Sequence, residues 1–347
     1  MNMEERRKVV FSKETEEDAI VGLSLRPVKL DEFIGQPDII ESLKVSIAAA
    51  KVRAEPLEHM LFSGPPGLGK TSLSYIIAHE MGAHITITSG PAVERAGDLI
   101  GILTNLEQGD ILFIDEIHRL SKVVEEFLYP AMESYKIDFV VDKGPHARTI
   151  NFNLKPFTII GATTRSGLLA SPLRDRFGIF HHLDFYTCEH LAIIVMNAAR
   201  KLSVSIEEDA ARAIAQRARG TPRIANRLLR RVRDFAQVKT THGRIQVQVV
   251  QQAMATLGID EIGLDEIDRR LLTVIDTTYH GGPVGIEALA ATLNEEVDTL
   301  VDVIEPYLLK IGFVRRTSRG RELTASALKH IKSLSLARTT GQKELFG

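Results

Sequence analysis

Cysteine is nearly missing from these 347 residues, with Cys188 standing alone. A single cysteine excludes an intrachain disulfide and a cysteine-rich zinc site, and a reducing cytoplasm is the expected setting. Tryptophan is absent and aromatics make up 6% of the chain, with no cluster that could stack single-stranded bases. No apolar run approaches the roughly 20 residues of a membrane helix, and the opening Met1-Asn-Met-Glu-Glu-Arg-Arg7 lacks the apolar core of a signal peptide. An excess of one charge is lacking too: 43 Lys+Arg against 45 Asp+Glu give −2, so nucleic-acid binding has to rest on a local basic patch. Composition is otherwise that of a globular chain, and the length implies two or three domains.

The most informative stretch is Ser63-Gly-Pro-Pro-Gly-Leu-Gly-Lys-Thr-Ser72, which fits G-x-x-x-x-G-K-[ST] from Gly64 to Thr71. The apolar run His59–Phe62 before it reads as a buried strand. A helical pattern over Thr71–Met81 follows and stops at Gly82. In that setting Gly64, Gly67 and Gly69 let backbone N–H groups converge on phosphate oxygens. The helix N-terminus adds positive potential. Lys70 is expected to reach the β- and γ-phosphates of ATP and Thr71 to ligate Mg²⁺.

Ile111–Ile114 is a run suited to a strand buried on both faces of a parallel sheet, and Asp115-Glu116 sit at its C-terminal end. Asp115 is placed for Mg²⁺ and Glu116 to polarise a water; an acidic helix start is the plainer alternative. Phe157–Thr164 is another buried strand, and either Thr163 or Thr164 could address the γ-phosphate or the water. Helices are expected over Pro37–Arg53 and Lys122–Ser134. Lys136–Asp142 and Arg148–Phe152 flank a Gly-Pro turn as a hairpin. Ser171–Gly178 reads locally as a capped turn with a salt bridge to Asp175, or as an arginine finger; local pattern does not choose.

Strand–helix alternation stops near Cys188. Helices are expected over Glu189–Leu202, Glu207–Arg219, Pro222–Lys239 and Val247–Leu257, with Arg217, Arg219, Arg227, Arg230, Arg231 and Arg233 read mostly as a solvated face. Arg223, at a helix start after Thr221-Pro222, could point back to a nucleotide. Gly258–Gly263 reads as a hinge into three further helices (Asp265–Thr278, Gly285–Leu293, Glu295–Ile311) and a basic β-hairpin. That is a winged-helix pattern. Its Arg315, Arg316, Arg319 and Arg321 suit phosphate contacts on duplex DNA, against the alternative of a solvated charged hairpin.

Taken in order, Gly64–Thr71, Asp115-Glu116, Gly161-Ala-Thr-Thr164, Leu173-Arg-Asp-Arg176 and Thr221-Pro-Arg223 resemble the AAA+ ATPases. With Ser171–Gly178, Gly281–Gly285 and Arg316–Arg321 the chain resembles the motors that drive branch migration of Holliday junctions in DNA recombination and repair. The resemblance runs from about Leu25 to Lys329 and leaves residues 1–20 and those beyond about Ala337 unassigned. It implies an α/β P-loop NTPase (AAA+) core with a parallel sheet, a helical lid and a C-terminal winged-helix domain. The expected divisions are 1–183, with 1–20 a mobile start, then 184–258, then 259–347. It places Leu25, Arg26 and Tyr186 along the adenine nucleotide, and Gly67, Lys70, Thr71 and Ser72 on its phosphates. Thr163 or Thr164 becomes the first sensor and Arg223 the second. Arg176, with Arg174 as the second candidate, becomes the finger given to a neighbouring subunit. Glu133, Ser134 and Tyr135 are implied near nucleotide at a subunit boundary. Partners implied are duplex DNA at four-way junctions, a RuvA-type junction-binding protein on hairpin 136–152, a RuvC-type resolvase and a hexameric ring of copies, within an SOS-type damage response and without a membrane. A clamp loader, a replication initiator and a nucleotide-switched DNA-binding regulator are the rival readings.

Overall fold

The computed structural model describes residues 24–140, 149–239 and 243–333. The expected mobile start at 1–20, the hairpin turn around Gly144-Pro145 and the tail beyond Ala337 lie outside the described residues. Two compact units divide the chain at Tyr186/Thr187.

The first unit is built on a parallel five-stranded sheet in the order β2-β3-β6-β1-β7. Its strands are β1 (Met60–Ser63), β2 (Ile85–Ser89), β3 (Ile111–Asp115), β6 (Thr158–Thr163) and β7 (Ile179–His182). β1, β3 and β6 are central, and their apolar residues are covered on both faces, as the unbroken runs require. Helices α1 (Pro37–Arg53), α2 (Lys70–Met81), α3 (Ala96–Thr104) and α4 (Lys122–Ser134) supply the cover. Pro37 opens α1 at a first-turn position, Gly82 ends α2 at φ +66, and Ser121 caps α4 by accepting from Val124 N–H. A short α5 (Ser171–Arg174) leads into β7. The antiparallel pair β4 (Lys136–Val140) and β5 (Thr149–Asn153) stands apart from the main sheet. α3 and β7 are elements the sequence patterns did not single out.

The second unit begins with helices α6 (Cys188–Lys201), α7 (Glu208–Arg217), α8 (Pro222–Lys239) and α9 (Val247–Leu257). After it come α10 (Glu266–Thr277), α11 (Ile286–Leu293) and α12, which runs from Val297–Thr299 through a π turn at Leu300–Ile304 into Glu305–Lys310. Pro306 cannot donate to the helical ladder, and the turn before it widens. The hairpin β8 (Val314–Thr317) and β9 (Gly320–Leu323) completes a winged-helix unit, with Leu272, Ile275, Leu289, Leu300 and Leu308 in its core.

One expectation fails here. Arg219 does not lie on a solvated helix face. α7 stops at Arg217, and Arg219 adopts φ +55 with 3% of its surface exposed; Arg227 is buried too. Hydrogen bonds hold the Gly258–Gly263 turn, read as a hinge. Asp260 accepts from the N–H groups of Ile262 and Leu264, and Arg219 donates from Nε to the Gly263 carbonyl at 2.7 Å. The Arg219 guanidinium then grips Asp268 at 2.5 and 3.3 Å and lies over the Tyr307 ring at 5.6 Å. Burial raises the Asp268 pKa while the guanidinium opposes that shift. Asp265 and Asp268 also cap α10 reciprocally. One buried cation therefore ties the turn before α8 to the first helix of the winged unit.

Losing Asp268 breaks the close half of the pair and leaves the buried Arg219 to the more distant Asp265 carboxylate, 3.5 Å away. Asp268→Ala should cost about 3–5 kcal/mol in chemical unfolding of this unit; a loss under ~1 kcal/mol would show that the clasp does not hold the two parts together.

Candidate active site

Because every strand of the main sheet runs the same way, the loops after the strands collect along one edge. Ser63 is in register with Thr163 and with His182 there, and Asp115 lies beside Ser89. The chain turns sharply at Gly64, with φ +133, where a Cβ would lie 2.4 Å from the Leu183 carbonyl oxygen. Its N–H donates to Thr163. At Gly69, φ is +108 and a Cβ would press on the Phe33 ring at 3.0 Å. These glycines make a loop whose backbone can approach an anion closely. Lys70 opens α2, is 7% exposed, and donates from Nζ to the Gly64 and Pro65 carbonyls at 2.7 and 2.9 Å. Thr71 and Ser72 follow on the first turn. The Thr71 hydroxyl and the Asp115 carboxylate are hard oxygen donors of the kind that bind Mg²⁺ together with phosphate.

Glu116 holds a left-handed backbone, φ +46, which for a non-glycine residue costs of order 1–3 kcal/mol and is favoured at functional sites. Close packing enforces it: a Cβ on Gly90 would sit 2.4 Å from the Glu116 carbonyl oxygen. The two threonines that the sequence left equivalent are distinct. Thr164 Oγ1 donates to the Glu116 carboxylate at 3.1 Å. Thr163, fully buried, meets His118 Nδ1 at 2.9 Å and accepts from Arg165 N–H at 3.0 Å. His118 Nδ1 is also 3.2 Å from the Glu116 carboxylate. His118 belongs to no motif of its own in the sequence; its place two residues after the acidic pair is the one local sign of it.

Leu25 is buried and Arg26 lies 5.4 Å from the centre of the Tyr75 ring. Tyr186 donates from its hydroxyl to the Leu68 carbonyl at 3.0 Å, and burial pushes its pKa well above the usual phenol value. Gln36 donates to the Asp184 carbonyl at 2.6 Å. Phe33, Gln36 and Tyr75 thus belong to the framework around the phosphate loop.

Arg176, Glu133 and Tyr135 lie at the opposite edge of the sheet. Gly178 and Ile179 donate to the carbonyl of His59, the residue before β1. His59 in turn meets the Met132 carbonyl at 3.2 Å, and Tyr135 packs on the Phe157 ring at 5.7 Å before β6. The five steps from His59 to Gly64 span roughly 17 Å of extended chain. Arg176 pairs with Glu133 at 3.0 Å, not with Asp175. Ser134 caps back onto the Pro130 carbonyl, and Arg174 is exposed.

In the second unit Arg223 stands in the first turn of α8. On the wing, Arg316 and Arg321 both bind the buried Glu305, at 2.6–2.8 and 2.9–3.3 Å. Burial pushes the Glu305 carboxyl up, but the two guanidiniums outweigh it and hold it below the usual range. Arg315 pairs with Glu322 at 2.7 Å, and Arg319 sits exposed at the tip.

A glycine phosphate loop, an acidic pair closing a neighbouring strand and a threonine pair closing the next, followed by a helical lid and a winged head, define a P-loop ATPase of the AAA+ class. Family models agree along the chain: residues 25–183 match the Holliday junction DNA helicase RuvB P-loop domain, 186–260 the RuvB AAA lid domain, and 261–332 the RuvB C-terminal winged helix domain. The chain belongs to the RuvB family. The Holliday junction branch migration complex subunit RuvB of Desulfosudis oleivorans is 57% identical over 324 residues, 93% of this chain and 94% of that one. The Chloroflexus aurantiacus protein of the same name is 59% identical over 315 residues, 91% and 90% of the two chains. Among solved structures, the Thermotoga maritima RuvB Holliday junction branch migration motor superposes with a TM-score of 0.82 at 52% identity, covering 89% of this chain and 98% of that one.

A hydrogen bond to a charged group is worth about 1.5–3 kcal/mol, so Thr164→Val should lower kcat for ATP by roughly 10–100-fold with little change in KM. Steady-state turnover at saturating ATP checks this; an unchanged kcat would detach Thr164 from Glu116 chemistry.

Proposed function

We propose that this chain is an ATP-driven motor that moves four-way DNA junctions by branch migration, working as a hexameric ring on duplex arms with a RuvA-type partner. The observation that carries the reading is the separation, by the length of the sheet, of the phosphate loop from Arg176. One chain holds two halves of a hydrolytic site that only a neighbouring copy can join.

In this reading Gly64, Gly67, Gly69, Lys70, Thr71 and Ser72 cradle the triphosphate, and Leu25, Arg26 and Tyr186 flank the base. Thr71 and Asp115 hold Mg²⁺, which supplies charge neutralisation on the phosphates. Glu116 orients and deprotonates the attacking water. Thr164 holds the Glu116 carboxylate in place, and Thr163 fixes His118 behind it. Arg176 enters the neighbour's site, where an arginine finger is worth about 10³–10⁵ in rate; Glu133, Ser134 and Tyr135 accompany it at that boundary. Arg223 keeps the second-sensor role. Arg316 and Arg321, with Arg315 and Arg319 beside them, contact DNA phosphates, which position the duplex without reading sequence. The β4–β5 hairpin docks the RuvA-type protein. A RuvC-type resolvase would act on the same junction, and recombination, repair and the SOS response are the setting. No described helix is long and apolar enough to cross a membrane, and the cytoplasm is the compartment we assign.

A labelled four-way junction provides the test. Partner-stimulated, Mg²⁺–ATP-dependent dissociation into duplex arms is the expected result. Robust ATP hydrolysis with no junction processing, with or without the partner, would contradict the motor reading and favour a clamp loader or initiator.

A further inference from the structure

Arg176 does not hang free at its edge of the sheet; it is cradled by one face of α4. Glu125, Tyr129 and Glu133 recur at four-residue spacing, which places them one above another on a helix. The guanidinium carbon of Arg176 stands 4.6 Å from the centre of the Tyr129 ring, well within the range of a cation–π contact. Nη2 pairs with Glu133 at 3.0 Å and Nη1 donates to the Pro172 carbonyl at 2.5 Å. The Tyr129 hydroxyl is directed at the buried Glu125 carboxylate, 3.5 Å away. Burial raises the pKa of both Glu125 and Tyr129. Thus the ring is fixed at its far end while its face receives the cation.

The held pose is incomplete in one respect. Nε of Arg176 is covered and has no hydrogen-bond partner, and buried donors are rarely left so. Glu133, by contrast, has 61% of its side chain exposed, so the ion pair that holds Nη2 is readily exchanged for another anion. The ring face holds the cation without a negative charge of its own. It can therefore keep orienting the guanidinium while Glu133 is replaced by a phosphate oxygen.

We propose that Tyr129 is the positioning residue for the arginine finger: its ring face keeps the Arg176 guanidinium extended and ready, and Glu133 is the counter-ion that a neighbouring subunit's triphosphate displaces. This rests on Arg176 acting on a neighbour's ATP. Arginine is suited to the task because its planar cation stacks and hydrogen-bonds at once, which lysine cannot do.

The experiment compares ATP turnover by assembled Tyr129→Leu, Tyr129→Phe, Arg176→Ala and the Tyr129→Leu/Arg176→Ala double variant. Nucleotide binding and thermal unfolding are followed in each. Tyr129→Leu should lose about 10–100-fold in kcat with KM for ATP nearly unchanged. Tyr129→Phe keeps the ring face and should recover most of the rate. In the Arg176→Ala background Tyr129→Leu should have no further effect, because residues acting through one another are non-additive. Wild-type turnover by Tyr129→Leu, failure of Tyr129→Phe to recover, or an equal loss in both backgrounds would each overturn the proposal. Near-normal turnover by Arg176→Ala would instead remove the finger reading on which it rests.

Discussion

The parallel direction of the five strands is the constraint on which the site depends. A parallel sheet gathers its post-strand loops at one edge and its pre-strand loops at the other. Gly64–Lys70, Asp115-Glu116 and Thr163-Thr164 all end or follow strands, so they converge without any special folding of the loops. Arg176 precedes β7, and Glu133 and Tyr135 are held beside it by the Arg176 ion pair and by Phe157 just before β6, so the same sheet holds them away. Buried, unbroken runs such as Ile111–Ile114 make the sheet rigid enough to fix that separation. In the proposed reading hydrolysis is thereby linked to assembly: a lone subunit would bind nucleotide and lack the Arg176 cation that a neighbour supplies to the transition state.

A second constraint sits in the other unit. Arg219 occupies a left-handed turn three residues before Pro222 and spends its guanidinium on Gly263 and Asp268. The turn that carries Thr221-Pro-Arg223 and the first helix of the winged head are therefore fixed to each other by buried charge, not joined by a flexible link. Packing of Gly263 against the Arg217 carbonyl, where a Cβ would sit at 2.4 Å, closes the same junction from the other side. A motor that converts nucleotide state into DNA movement needs a stiff part between the two, and this clasp has the character of one. On the wing, Glu305 gathers Arg316 and Arg321 into a pair, which in the proposed reading would limit the side-chain entropy lost on meeting DNA phosphates.

Much of this was legible in the sequence, because the phosphate loop, the acidic pair and the long helices are local patterns. Pro37–Arg53, Lys122–Ser134 and Pro222–Lys239 end where capping and periodicity place their ends. What escaped had either a weak local signal or a distant partner. α3 carries Gly97 and Gly101, which lower helix propensity. β7 alternates half-buried with exposed residues, Phe180 among them, and so lacks an apolar run. Arg219 looked like one more surface arginine because its partners lie in another part of the chain, and only the fold brings Asp268 to it. The division of labour between Thr163 and Thr164 depends on which carboxylate or ring each one faces, and adjacent threonines at a strand end carry no sign of that. The Ser171–Gly178 turn suggests a local salt bridge to Asp175, whereas Arg176 finds Glu133 on α4.

The most direct test of the composite site is to mix two inactive variants. Glu116→Gln subunits keep the finger and lack the base; Arg176→Ala subunits keep the base and lack the finger. Where an Arg176→Ala phosphate loop faces a Glu116→Gln neighbour, the complete site is restored. ATP hydrolysis in mixed assemblies should rise well above the sum of the two variants alone, with a maximum near equal proportions. Hydrolysis that never exceeds that sum, in assemblies shown to contain both chains, would contradict an active site shared between subunits.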